Sequence, residues 1–287
     1  MDLPFPHKRG KLLSEVSTFG IGGPARYFAE AKDIDSLRQM ILFVKAHSIP
    51  YFILGKGSNS LFDDRGFNGL VILNQLDYMH HEAGSFIAGS GYSFARLGQQ
   101  SAKLGYTGLE FASGIPATVG GALFMNAGAN GREVCESLYS VRFMESTGDV
   151  VTLRELSFSY RHSPFQGRKG VIVEATFMLQ EKKEAKKEQK KLLDYRLQTQ
   201  PYGQKSCGCV FRNPQGEVAG RLIEECGLKG ARVGDICVSN KHANFIVNDG
   251  RGTAAEVRQL MEEIKEKVFH EKGIELQEEI RFVPYDI

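Results

Sequence analysis

The segment GIPATVGGALFMNAGANG, residues 114–131, holds five glycines in eighteen positions. Glycine loses more conformational freedom on folding than any other residue. A stretch this bare therefore limits what the chain can become: its backbone must turn tightly or approach something closely. A second glycine stretch, GKGSNS at 55–60, follows directly on the strand-like YFIL at 51–54. Successive N–H groups in tight turns form concave nests that bind anions. On this reading Gly55, Gly57 and Ser58 offer amides to one phosphate, and Asn59 and Ser60 add side-chain donors. The 114–131 segment serves a second phosphate, or lets a flat ring lie against its backbone. The competing reading is two tight turns in a β-rich domain. Two such segments in one chain favour a dinucleotide. Neither is a G-x-G-x-x-G fingerprint and no Walker A sequence is present, so a dinucleotide here requires a different fold.

Length and composition bound the remainder. At 287 residues, 42% hydrophobic and 24% charged, the chain has an ordinary globular profile and is long enough for about two domains. The formal net charge of +2 gives no reason to expect nucleic acid or a membrane as partner. Five cysteines, Cys135, Cys207, Cys209, Cys226 and Cys237, show no disulfide framework and fit a reducing compartment. The opening MDLPFPHKRGKLL lacks an apolar core of the kind a signal peptide needs, so the expected location is the cytoplasm.

Apolar periodicity predicts a strand at 25–31, a helix at 33–47 capped by Asp33, and strands at 51–54, 69–73 and 85–91. A short helix near 93–104, a hairpin over 139–153 turning at STGD and a strand at 170–179 follow. The run EKKEAKKEQKK at 181–191 carries six lysines and three glutamates. Mixed signs at helical spacing describe a solvated helix or connector better than a nucleic-acid patch. Beyond it come a helix stopping at Gly227, a strand ANFIVN, a long amphipathic helix at 253–273 and a closing strand at 274–283. The fold class is α+β. The expected division is 1–75, 76–195 and 196–287.

Eight segments now carry a resemblance. In order they are TFGIGGPARYF (18–28), GKGSNSL (55–61), the glycine segment itself, SYRHSPF (159–165), CGCVFRNP (207–214), AGRLIEECGLKG (219–230), VSNKHANFIVN (238–248) and EEIR (278–281). The chain resembles the UDP-N-acetylenolpyruvoylglucosamine reductases over roughly residues 17–283, in their shorter type without an inserted substrate-clamping loop. The resemblance implies the FAD-binding architecture of vanillyl-alcohol-oxidase-like enzymes. Residues 1–75 and 76–195 would be two FAD-binding subdomains, and 196–287 a substrate domain. It implies non-covalent FAD, NADPH as electron donor, and reduction of UDP-N-acetylglucosamine enolpyruvate to UDP-N-acetylmuramate. Gly114, Ile115, Pro116, Val119, Gly120, Gly121, Asn126 and Gly128 join the 55–60 loop as cofactor-binding residues. No metal is implied, and the chain is expected to act as a monomer.

The reaction sets its own demands. A hydride adds to one carbon of an enol ether conjugated to a carboxylate, charge develops on that carboxylate, and the neighbouring carbon takes a proton. Arg161 matches the family's carboxylate-polarising arginine, whose planar fork suits that group. Glu279 matches the catalytic glutamate by resemblance. Strand alternation alone puts Glu275 on the same face and Glu278 on the other. The family's proton donor is a serine, and here Cys209 stands in its place. A thiol, with an ordinary pKa near ~8.5, is a far stronger acid than an alcohol. Cys209 as the acid competes with Cys209 as a small packed residue, and with Cys207 and Cys209 as half a metal site. Tyr160, Asn213, Lys241, His242 and Asn244 are the candidates for substrate contact, and His242 reads equally as a core histidine. Two other functions remain open at this point: an alcohol or lactone oxidase of the same fold, and a non-catalytic flavin- or nucleotide-sugar-binding module.

Overall fold

The computed structural model describes residues 2–286. Six α-helices occur among the described residues: α1 (Ile34–Ala46), α2 (Phe94–Lys103), α3 (Val119–Phe124), α4 (Ala185–Thr199), α5 (Ala219–Glu225) and α6 (Ala254–Lys272). Two compact units form, and neither is one continuous stretch. The first comprises residues up to Lys8, Phe28–Lys56 and Leu70–Arg196. The second comprises Arg9–Tyr27, Gly57–Gly69 and the chain from Leu197 onward. A contiguous division at 75 and 195 leaves 9–27 and 57–69 with the N-terminal part. The structure puts them in the second unit because Phe19, Ile21 and Leu61 are buried in its core.

In the first unit, α1 forms where expected. Asp33 accepts the N–H of Ser36 at 2.7 Å, Ser36 answers with its hydroxyl, and Leu37, Met40, Ile41 and Val44 make the buried stripe. Strand Tyr51–Leu54 pairs parallel with Leu70–Leu73. The larger element is a five-stranded antiparallel sheet in the order Val150–Leu153, Leu138–Glu145, Gly170–Met178, Ser85–Gly89, Met79–Glu82. Phe86, Phe94, Phe111, Phe143 and Phe177 fill its core together with residues of α2 and α3. The hairpin turns at STGD as its register requires, Met144 facing Val150. The lysine-rich run is α4, with only Ala185 fully buried.

The second unit is built on a four-stranded antiparallel sheet in the order Ser206–Cys209, Phe245–Asn248, Ile236–Val238, Arg232–Val233. Helix α6 packs into its core through Val257, Leu260, Met261, Ile264 and Val268. A capping box of Thr253 and Glu256 starts that helix, and left-handed Gly273, at φ 69°, stops it. Strand Ser60–Phe62 pairs parallel with Arg281–Val283. The closing strand is shorter than periodicity suggests. It runs only over Arg281–Val283, and residues 277–279 instead bond irregularly to 210–212. Among the strands that escape the sequence reading, two do so for opposite reasons. Met79–Glu82 is polar because it lies at a sheet edge, and Ile236–Val238 is buried throughout but too short to show a period.

The turn before Phe245 bears on the site. Phe245 donates its N–H to the carbonyl of His242 at 2.9 Å, and Asn244 donates its N–H to Nδ1 of His242 at 3.2 Å. That second bond requires a bare nitrogen, so the imidazole serves the fold in its uncharged form.

Two expectations follow from this packing. Phe19→Ala should cost about 3–5 kcal/mol in denaturant unfolding, as for a buried phenylalanine. A loss under about 1 kcal/mol would mean that segment 9–27 is not part of the core. Burial holds the pKa of His242 below its ordinary 6.5. The unfolded chain therefore takes up this proton first as pH falls, and stability declines on acidification below about pH 6.5. His242→Gln should flatten that decline when unfolding midpoints are compared at about pH 7.5 and 5.5; equal slopes would refute the assignment.

Candidate active site

The loop after strand Tyr51–Leu54 is shaped by close approach. A Cβ on Gly55 would lie 2.6 Å from Oγ1 of Thr118, and one on Gly57, at φ 62°, would lie 2.8 Å from Cα of Ser17. Beyond that, the loop keeps its donors. The main-chain N–H groups of Lys56, Gly57, Ser58 and Asn59 donate to no acceptor among the described residues. Four successive uncommitted amides around a left-handed glycine are the makings of an anion nest. Ser60 has left the loop and begins a strand.

The 114–131 segment resolves into several distinct glycines. Gly114, at φ 82°, abuts the side chains of Arg196 and Leu193. Gly120 lies against Ser90, where a Cβ would come within 3.0 Å of the serine's own, and Gly128 lies against the carbonyl of Arg132. Gly131 supplies a positive φ of 76°. Packing and turns thus account for four of the five. Gly121 differs: it is exposed, and a Cβ there would make only ordinary contact with Thr118. The segment's amides are also less available than those of the 55–60 loop. Val119, Gly120 and Gly121 donate to the Tyr92 carbonyl, the Ser90 carbonyl and Thr118 Oγ1 respectively, and Ile115 donates to the Ala112 carbonyl. Pro116 has no N–H to give. What this segment and the residue before it do leave is a pair of orphaned buried atoms, Oδ1 of Asn126 and Oγ of Ser113. Asn126 is fully buried, at φ 44°, and its amide nitrogen donates to Glu133 Oε2 at 2.8 Å and to the Ser159 carbonyl at 2.9 Å.

Arg161 sits at the corner of a tight turn in which Ser159 and His162 exchange N–H···O bonds at 3.1 and 2.9 Å. Its own φ is 56°, a conformation that glycine or asparagine adopts readily and arginine rarely. Gln166 Nε2 holds the Arg161 carbonyl at 3.1 Å and the Phe124 carbonyl at 2.9 Å. The guanidinium lies over the ring of exposed Tyr160 and donates a long bond, 3.4 Å, to the Gly128 carbonyl. These contacts join Arg161 to the end of the glycine segment within the first unit.

Within the second unit, Cys209, Glu279 and Asn59 are brought together by main-chain bonding. The pairing of Ser206–Cys209 with Phe245–Asn248 slips by one residue between Ser206 and Cys209, and Gly208 takes up the slip at φ 78°. Cys207 is consequently buried and donates to the Ser60 carbonyl at 3.4 Å, and burial pushes its thiol well above the usual range. Cys209 is half-exposed. Next in the chain, the Val210 carbonyl accepts the Glu279 N–H at 2.7 Å. The Glu279 carbonyl accepts Nδ2 of Asn59 at 3.1 Å, and Arg281 returns its N–H to the Asn59 carbonyl at 3.0 Å. Glu278 is directed elsewhere, to Lys265 Nζ at 3.1 Å, and Glu275 is exposed. No cluster of metal-ligating side chains occurs among the described residues.

The remaining candidates also lie in this unit. Asn213 Oδ1 accepts the Ala219 N–H that opens α5, and Lys241 Nζ donates to the Leu197 carbonyl at 2.6 Å. Asn244 is 3% exposed, and its amide engages both main-chain groups of Phe211. Arg212, which sequence reasoning passed over, has a buried Nε without a partner.

The donor set fits FAD. A run of uncommitted amides suits a diphosphate, and the orphaned buried atoms of Ser113 and Asn126 suit polar ring edges. Comparisons with known proteins agree. Residues 25–154 match an FAD binding domain, and residues 200–283 match the C-terminal domain of UDP-N-acetylenolpyruvoylglucosamine reductase. The reductase of Protochlamydia amoebophila is 53% identical across 100% of this chain and 97% of its own. That of Chlamydia felis is 46% identical across 98% and 96%. The crystal structure of the Thermus caldophilus reductase superimposes with a TM-score of 0.83 at 35% identity, covering 97% of this chain and 99% of that one. The chain therefore belongs to the UDP-N-acetylenolpyruvoylglucosamine reductase family, and is an FAD-dependent oxidoreductase that takes electrons from NADPH to form UDP-N-acetylmuramate for peptidoglycan.

Proposed function

We propose that Arg161, Cys209 and Glu279 divide the chemistry of this reduction. When bound, FAD supplies the hydride. Arg161 presents a permanent cation to the substrate carboxylate as negative charge develops there. Its left-handed backbone supports the assignment, since a strained conformation at a turn corner is commonly retained where chemistry requires the side chain. Cys209 gives its proton to the carbon next to the one reduced: the S–H bond breaks, a C–H bond forms, and the thiolate recovers a proton from solvent. Glu279 assists best when it carries its own proton and can donate a hydrogen bond to the enolate-like carboxylate.

The observation that carries this reading is the 2.7 Å bond from the Glu279 N–H to the carbonyl of Val210, the residue after Cys209. It ties the acid and the glutamate to adjacent main-chain segments. Asn213, Lys241 and Tyr160 provide polar contacts for the nucleotide sugar, and His242 serves its turn as an uncharged ring. The 55–60 loop holds the diphosphate of FAD, and Gly121, Asn126 and their neighbours border the flavin. Segments 1–75 and 76–195 serve the cofactor, and 196–287 the substrate, with 9–27 and 57–69 packed into that last unit's core. No helix among the described residues is long and apolar enough to cross a membrane. We assign the chain to the cytoplasm as a monomer acting on a small-molecule substrate, and its net charge of +2 gives no reason to expect nucleic acid.

The test is anaerobic. The oxidised protein is bleached with NADPH, and its colour is then followed as enolpyruvyl-UDP-N-acetylglucosamine is added. Cys209→Ser should recover colour at a measurable rate, and Cys209→Ala should be slower than wild type by about 10²–10⁴-fold, the usual worth of a general acid. Recovery of the alanine variant at the wild-type rate would remove Cys209 from the mechanism.

A further inference from the structure

Cys209 lies where its sheet runs out of strand. On its N-terminal side the ladder to Phe245–Asn248 is broken by the bulge at Gly208. On its C-terminal side the partner strand ends at Phe245, because the chain turns there through the bond from the Phe245 N–H to the His242 carbonyl. Val210 and Phe211 still need partners on that edge, since an unpaired buried peptide group costs about as much as a lost hydrogen bond. Asn244 provides them. Its carbonyl accepts the Val210 N–H at 2.9 Å. Its side-chain Oδ1 accepts the Phe211 N–H at 3.0 Å, and its Nδ2 donates to the Phe211 carbonyl at 2.8 Å. The carboxamide thus replaces the missing peptide group of the next strand position. Asparagine suits the task because it carries one acceptor and one donor on a short stem; aspartate lacks the donor.

The opposite edge of the same segment holds the glutamate. Glu279 donates to the Val210 carbonyl, and Arg212 donates to the Gln277 carbonyl at 2.8 Å. Residues 210–212 therefore lie between the Asn244 side chain and the strand that carries Glu279. We infer that Asn244 is a positioning residue for the reaction: its side-chain amide fixes residues 210–211, and through them the placement of the Cys209 thiol relative to Glu279. The inference rests on the roles given above to Cys209 and Glu279. It replaces direct substrate contact as the function of Asn244, whose side chain is buried and turned to the main chain.

The experiment separates the two half-reactions in the FAD-loaded protein. In Asn244→Ala, bleaching by NADPH should proceed at the wild-type rate, and recovery of colour with the enolpyruvyl substrate should slow ten-fold or more. Asn244→Asp guards against a misfolded alanine variant. As a carboxylate it repels the Phe211 carbonyl; as a buried carboxylic acid it both accepts and donates, as the amide does. Its recovery rate relative to wild type should therefore rise as pH falls from about 8 to 6, with the bleaching rate unchanged. The titratable groups nearby, His242 on the same turn with Lys229 and Glu224 facing it, are shared with wild type and cancel in that ratio. Recovery at the wild-type rate in Asn244→Ala, equal slowing of both half-reactions, or a flat ratio for Asn244→Asp would overturn the inference. Cys209→Ala run alongside separates the two claims. If it is slow while Asn244→Ala is fast, only the inference fails; if it is as fast as wild type, the Cys209 assignment fails and takes the inference with it.

Discussion

The peptide group of Val210 is the joint on which the candidate residues of the second unit depend. Its N–H is taken by Asn244 and its C=O by Glu279. Cys209 precedes it, and Glu279 passes the connection on to Asn59 through its own carbonyl. Three stretches that are distant in sequence, around 59, 209 and 279, are thereby tied by bonds to main-chain groups, and Leu61, Val210, Phe211 and Ile280 pack in the same core. Backbone bonds are indifferent to which side chain each residue carries. Such a frame tolerates cysteine in place of the family's serine at 209, since the exchange alters the group presented without altering how it is held.

The bulge at Gly208 complements this frame. Regular alternation gives residues two apart the same face, and Cys207 and Cys209 would then share one environment. The inserted residue separates them: one thiol is buried against Ser60 and made a poor acid, and the other is left half-exposed. Two cysteines with one spacer thus have unrelated roles, and the geometry gives no support to a shared metal.

Much of this was legible in the sequence. Asp33 as a cap, Gly227 as a stop, and the apolar stripes of α1 and α6 are local signals, and local bonding satisfies them. The 55–60 loop reads as a source of amides because its glycines follow a strand directly, but the sequence does not show that Gly55 is set by the approach of Thr118 or that the Asn59 side chain is taken by the Glu279 carbonyl. The 114–131 segment was only half legible. A glycine required by the approach of Ser90 is indistinguishable in sequence from one left open at the surface, so Gly120 and Gly121 look alike and serve different ends. The role of Asn244 was hidden for a similar reason. A side chain that substitutes for a peptide group has no periodicity, and its partner, Phe211, lies 33 residues away. The alternation argument for Glu275 and Glu279 assumed a strand that residues 274–280 do not form.

The interleaved second unit also has a history in time. Phe19, Ile21 and Leu61 belong to a core whose other residues begin at Cys207 and end at Ile280. A ribosome adding about 5–20 residues per second takes tens of seconds between the first of these and the last. Until Cys207 is made, the early apolar residues lack most of their core partners, while the first unit already has its sheet, complete by Met178. The nascent chain therefore carries two sticky segments, both N-terminal to the sheet that is folding, until the last third of the chain is made. Chaperone demand should concentrate in that window, and a codon-slowed C-terminal third would lengthen it.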